Sequence, residues 1–162
     1  MQTARHDAAF GSAWSAWSAL AVAAITGVVH GLFSIYWALG GNWLANTLGH
    51  QLVDAFAGRR WLLIPLAAVK IGFALLPLLL ASWGRLGRRP WRILCGAGAA
   101  MLVGWGGVNS LTGNLVLAGV LDRGRGYDRD GIVGHAWLWD PLFLLWGVAL
   151  TAALLSTRRR SP

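Results

Sequence analysis

The chain has 162 residues, of which 56% are hydrophobic and only 12% charged, with no Glu and a formal net charge of +8. Soluble domains carry about 25% charged residues, so this composition, with a mean hydropathy of +0.54, excludes a disordered chain and argues against a soluble globular one. Eleven Trp and 22 Gly fit a polytopic membrane protein instead.

The excess positive charge does not point to nucleic acid. The basic residues form short clusters between apolar runs (Arg59-Arg60, then Arg85 with Arg88, Arg89 and Arg92, then Arg158 to Arg160). Clusters in such places anchor and orient helices in a bilayer, and no nucleic-acid-binding motif interrupts the apolar runs. Cys95 is the single cysteine, so an intrachain disulfide is impossible. No Cys/His spacing suggests a metal site, and no cofactor motif is present. Cys95 reads as a small apolar packing residue.

In chain order, residues 1–16 read as a cytoplasmic N-terminal segment, and the apolar run after it is longer than a signal-peptide core and ends at Tyr36 to Gly41 without a clear cleavage site, so it reads as a retained first helix. A helix spanning a hydrocarbon core about 30 Å thick needs roughly 20 apolar residues. Four segments meet that requirement, at about 17–39, 61–83, 93–121 and 135–156. Together they predict an all-α, transmembrane four-helix bundle over 17–156, followed by a basic tail at 157–162. Between the first two spans, Leu44, Leu48, Leu52 and Phe56 recur every four residues and predict a short interfacial helix. The stretch Asp122 to Gly131, between the last two spans, is charged and Gly-rich and reads as solvated. Ala23, Gly27 and Gly31 in the first span, and Gly96, Ala100 and Gly104 in the third, suit close helix crossings. Pro65 and Pro77 mark the second span for a kink, unless Pro65 lies in its first turn.

Four spans place both termini on one side. With that side cytoplasmic, the inner segments hold Arg5, Arg85, Arg88, Arg89, Arg92 and Arg158 to Arg160, and the outer loops hold Arg59, Arg60, Arg123, Arg125 and Arg129. The asymmetry favours cytoplasmic termini in a bacterial inner (plasma) membrane, multi-pass. The tryptophans then fall into two interfacial belts. Trp37, Trp43, Trp61, Trp137 and Trp139 lie in the outer belt, and only Trp105 and Trp146 lie mid-span.

Ionisable and amide groups inside a span are costly and face a protein interior or a wet cavity. Those groups here are His30, Lys70, Asn109, Asn114 and Asp140. At about 1.5 Å per residue, His30 and Lys70 both lie roughly 15 Å from the outer surface. These depths allow one polar ligand pocket in the outer half of the bundle, with His30 sharing a face with Ser34 and Trp37. Lys70 needs a partner, and Asp140 is the nearest carboxylate by depth. Asp140 precedes Pro141, however, the pattern of an N-cap followed by proline at N1. In that arrangement the last helix begins at Pro141 and His135 to Trp139 form an interfacial segment.

No established catalytic arrangement is present: there is no HExxH, GxSxG or phosphate-loop pattern. Two stretches, His30-Gly-Leu-Phe-Ser-Ile-Tyr-Trp-Ala-Leu-Gly-Gly41 and Leu138-Trp-Asp-Pro-Leu-Phe-Leu-Leu-Trp-Gly147, resemble small bacterial four-helix integral membrane proteins that form a domain family of unknown function. The resemblance runs from about Leu20 to Leu155. It implies four spans and a membrane location, and it brings no reaction, substrate or cofactor.

Three functional readings stay open at this stage. One is a protein binding a lipid or apolar small molecule in the polar pocket. The second is a structural or accessory subunit that docks a membrane protein partner or forms a homo-oligomer. The third is a membrane-embedded enzyme using His30 and Asp140 as an acid–base pair.

Overall fold

The computed structural model describes residues 2–124 and 126–158, with side chains from residue 15 to 157 apart from Arg125. Every regular element among the described residues is helical. The chain runs through α1 (Gln2–Ala38), a 3₁₀ turn (Ala45–Leu48), α2 (His50–Phe56), a second 3₁₀ turn (Arg60–Leu62) and α3 (Leu63–Ser82). It continues through α4 (Arg89–Leu117), α5 (Arg129–Gly134), a π turn (His135–Trp139) and α6 (Asp140–Arg158). Four stretches are long and apolar enough to cross a membrane: Ser15–Ala38, Arg60–Ser82, Arg89–Leu117 and Arg129–Thr157. The expected basic residues from 159 onward, and Arg125, lie outside the described residues.

The helices do not close into a ring. α1 packs on both α3 and α6, and α6 packs on α4, whereas α3 and α4 sit on the flanks and scarcely touch. Small residues set these crossings. A methyl group at Gly27 would lie 2.6 Å from the Ala74 methyl and 2.7 Å from the Trp146 ring. Gly31 makes room for Ile71, and Gly106 lets α4 approach the backbone of Asp140 and Leu144. The stripe expected on α4 is a different matter. A methyl at Gly96 or Gly104 would meet nothing within 4 Å, and Ala100 is exposed. That stripe faces away from the bundle, and α4 uses Gly106 and Gly113 for packing instead.

One core cluster, built on Leu20, Ala23, Ala74, Cys95, Leu150 and Ala153, fills the half of the bundle nearest the end of α6. A second, around Trp37, Leu63 and Trp139, fills the opposite end, called distal below. The expected interfacial helix is there as the 3₁₀ turn plus α2, and its Leu44, Leu48 and Phe56 pack onto this distal cluster. It is a cap docked on the bundle. Trp139 Nε1–H donates to Thr47 Oγ1 at 3.0 Å, and Trp37 Nε1–H donates to the Trp43 carbonyl at 3.0 Å. Trp37 and Trp139 are therefore buried, and neither belongs to the exposed aromatic belt that the sequence suggested. Trp43, Trp61 and Trp137 remain exposed.

Two expectations about the last span change. Its helix begins at Arg129, so part of the stretch expected to be solvated is α5. The residue that caps it is Asp128, whose carboxylate accepts from Gly131 N–H at 3.1 Å. Asp140 is not an N-cap: it sits in right-handed helical conformation with helix on both sides. Proline inside a helix lacks an N–H and clashes with the carbonyl four residues back. The π turn immediately before Pro141 widens the helix at that point and absorbs the misfit. In α3, Pro65 lies in the first turn, and Pro77 is the proline inside the helix.

Candidate functional site

The open flank between α3 and α4 leads into a cavity of about 450 Å³, within the range of about 300–1,000 Å³ typical of small-molecule sites. Its roof is the cap, through Ala45, Leu48, Leu52 and Phe56. Its sides come from Leu66 of α3 and from Met101 and Trp105 of α4. Met101 and Trp105 are 71% and 61% exposed, so the cavity opens sideways, towards whatever surrounds the bundle. Nearer the proximal end, the Phe73 ring reaches across to Gly98 and closes the gap.

The inner wall is polar. His30, Lys70 and Asp140, expected from the sequence, all line this one cavity, together with Ser34 and His135. The expected pairing of Lys70 with Asp140 is not what forms. Lys70 Nζ lies 3.2 Å from His30 Nδ1 and donates to Ser34 Oγ at 3.1 Å. It also sits 5.7 Å from the centre of the Phe143 ring. With Lys70 as an ammonium donating to Nδ1, a neutral His30 carries its proton on Nε2. That Nε2 is buried and has no hydrogen-bond partner. The His30 ring is held between Phe143, at 4.1 Å, and Trp139, at 5.6 Å.

Asp140, 1% exposed, takes a different partner. Its Oδ2 lies 2.9 Å from His135 Nδ1. His135 Nε2 in turn faces the Leu48 carbonyl at 3.2 Å. Both ring nitrogens thus face acceptor atoms, and the pair carries no charge or a single negative one according to how many protons it holds. Asp140 Oδ1 is left without a partner. His30 and Asp140, expected as one acid–base couple, thus each have their own nearest partner.

Asn109 and Asn114 do not line the cavity. The Asn114 amide donates to the Ser110 carbonyl of its own helix at 2.8 Å. Asn109 is half-buried on α4. Helical depth placed both asparagines correctly in the distal half, but depth does not choose a face.

His135 is the residue that sequence reasoning missed. Side chains meet across an α-helix at spacings of three and four residues, and His135 and Asp140 are five apart. They meet because the intervening turn is π-helical, with its i→i+5 repeat. Proline at 141 was the available signal.

Outside the spans, the cap is tied to the start of α5 by Asp128. Its carboxylate accepts the His50 backbone N–H at 2.7 Å as well as Gly131 N–H, and the His50 ring is 3.9 Å away. These bonds, chiefly that from His50 N–H, hold the Asp128 carboxyl below the usual carboxylate range.

Fold and site together define a multi-pass helical membrane protein with a laterally open, mostly apolar cavity that carries a few polar groups on its inner wall, under a docked cap. The family described as "Protein of unknown function (DUF3995)" matches residues 27–150, and the chain belongs to that family. That range holds every residue of the cavity. No curated protein and no solved structure matches the chain.

Proposed function

We propose that this chain is a multi-pass protein of the bacterial inner membrane that binds a lipid or another amphipathic small molecule in the distal cavity, with both termini cytoplasmic and the cavity facing the outer leaflet. One observation carries the reading. A mostly apolar cavity opens sideways between α3 and α4 and is lined on its inner side by His30 and Asp140, each of which has a buried polar atom, Nε2 and Oδ1, that lacks a partner. Buried polar groups are nearly always satisfied, and a site with apolar sides and a few convergent polar groups is the usual form of a small-molecule pocket.

Native mass spectrometry of the protein extracted in mild detergent tests this. The expected result is a near-stoichiometric small-molecule or lipid adduct, lost when Leu66→Trp fills the opening. A bare wild-type chain, or an adduct indifferent to Leu66→Trp, overturns the reading.

A second reading, an accessory subunit that docks a partner protein or a second copy, is favoured by the outward stripe of Gly96, Ala100 and Gly104. Small residues facing lipid are the form that close helix contacts take in membranes.

A further inference from the structure

The charges around the cavity define its occupant more narrowly than shape does. Lys70 and Arg60 both line it. Among the described residues, the carboxylates that form ion pairs are Asp128, with His50, and Asp140, with His135. Neither Lys70 nor Arg60 has one. Arg60 instead donates to the Asn42 side-chain oxygen at 3.0 Å near the roof. Lys70 and Arg60 bring two positive charges to the lining, and the pair formed by Asp140 and His135 brings at most one negative charge, so the cavity wall is net positive.

The unused hydrogen-bonding capacity has the same sign. An ammonium has three N–H groups, and Lys70 directs two of them at His30 Nδ1 and Ser34 Oγ. The third is available. His30 Nε2, on the far side of the ring from Lys70, is buried and unpartnered. His30 is 5% exposed. An ammonium with a free N–H and no ion-pair partner is a receptor for an anionic oxygen group, and charge-assisted bonds of this kind are the stronger ones. A charge left alone at this depth costs about 2.5–3.5 kcal/mol even on insertion scales, so an occupant bearing the opposite charge gains what the empty wall lacks. Asp140 Oδ1 asks for a donor, so the ground beyond the His135 pair suits a water or a hydroxyl and not the anion.

We infer that the cavity binds an anionic amphiphile, its carboxylate or phosphate oxygens on Lys70 Nζ and its apolar chain leaving between Leu66, Met101 and Trp105. This rests on the cavity reading above and adds the charge of the head group.

Binding of tritiated oleate to the full chain in an uncharged detergent tests it, with unlabelled oleyl alcohol and dioleoylphosphatidylglycerol as competitors. Oleate is expected to bind saturably and to be displaced at least tenfold better by itself than by oleyl alcohol. Lys70→Met is expected to weaken binding by about tenfold or more, and Lys70→Arg, which keeps the charge and guards against a mere folding effect, by threefold or less. Phosphatidylglycerol that displaces oleate in a Lys70-dependent manner assigns the oxygens to a lipid head group. Failure to displace assigns them to a free acid. Equal competition by the alcohol, or Lys70→Met binding as wild type does, overturns the anionic head group and leaves the cavity reading standing. Absence of any native adduct removes the cavity reading itself.

Discussion

At the scale of single residues, four ionisable groups, His30, Lys70, His135 and Asp140, occupy one wall, and Lys70 and Asp140 are not paired as depth alone suggests. Lys70 is closest to a histidine and a serine, whereas Asp140 is closest to the other histidine. The consequence is a division of labour. Asp140 and His135 pair with each other while His135 Nε2 also meets the Leu48 carbonyl of the cap, so this pair joins the cap to the bundle. Lys70 and His30 keep donors to spare. A carboxylate outside the spans shows the pH dependence that such a construction implies. Asp128 has its carboxyl depressed by the His50 and Gly131 N–H groups, so its contribution to stability is fully present above the unfolded-state value, about 3.9, and is lost as pH falls through the lower folded-state value. Asp128→Asn is therefore expected to lower the thermal midpoint in detergent at pH 7, and the gap from wild type should narrow as the pH drops below about 4. A gap that is constant from pH 7 to pH 3 would show that the carboxylate charge is not what holds the cap.

At the scale of elements, backbone approach decides which helices meet. α4 carries glycines on two sides, and the two sets have opposite sensitivities. A methyl at Gly106 would lie 2.5 Å from both the Asp140 carbonyl oxygen and the Leu144 nitrogen, which are backbone atoms and cannot swing aside. At Gly104 it would meet nothing. Glycine inside a helix is worse than alanine by about 0.5–1 kcal/mol. Gly104→Ala is thus expected to hold or raise the thermal midpoint, and Gly106→Ala to lower it, because α4 must move off α6 by some tenths of an ångström or more. Scanning fluorimetry in one detergent compares them directly, and the reverse order would place the α4–α6 contact on the wrong face. The cap follows the same logic. Its Gly49 lies so close to Gly131 that a methyl on the latter would sit 2.6 Å from the Gly49 Cα, and Gly49 takes φ +88°, a conformation that side chains disfavour.

At the scale of the whole molecule, the packing order α3–α1–α6–α4 leaves one flank unsealed, and the cavity is the result. A closed four-helix ring would have placed α3 against α4 and shut Lys70 into an apolar interior. In the proposed reading, the open flank gives the ammonium a way to a partner that comes from the membrane. The proposed orientation puts this flank in the outer leaflet. With Cys95→Ala as background, a cysteine at position 127 is expected to react with an impermeant maleimide in intact cells and one at position 161 only after lysis. The opposite pattern would turn the cavity towards the cytoplasm and change the leaflet that supplies its occupant.

How much of this was legible differs by kind of information. Four spans, the amphipathic cap and the depth of His30 and Lys70 follow from composition, period and a fixed rise per residue, which are properties of one helix at a time. The family that the sequence resembles, a four-helix membrane family of unknown function, agrees with the match over residues 27–150. Pairing was not legible. Lys70 meets His30 and not Asp140, Asn109 and Asn114 miss the cavity, and the Gly96 stripe faces outward, because each outcome depends on how helices rotate against their neighbours. The π turn adds the last element. It places residues five apart in contact and moves Asp140 from a helix end to a buried wall. A single chain's pattern determines which residues enter the membrane and how deep. The faces they share are decided by close packing between helices, whose contacts fall off over fractions of an ångström and leave no periodic trace in the sequence.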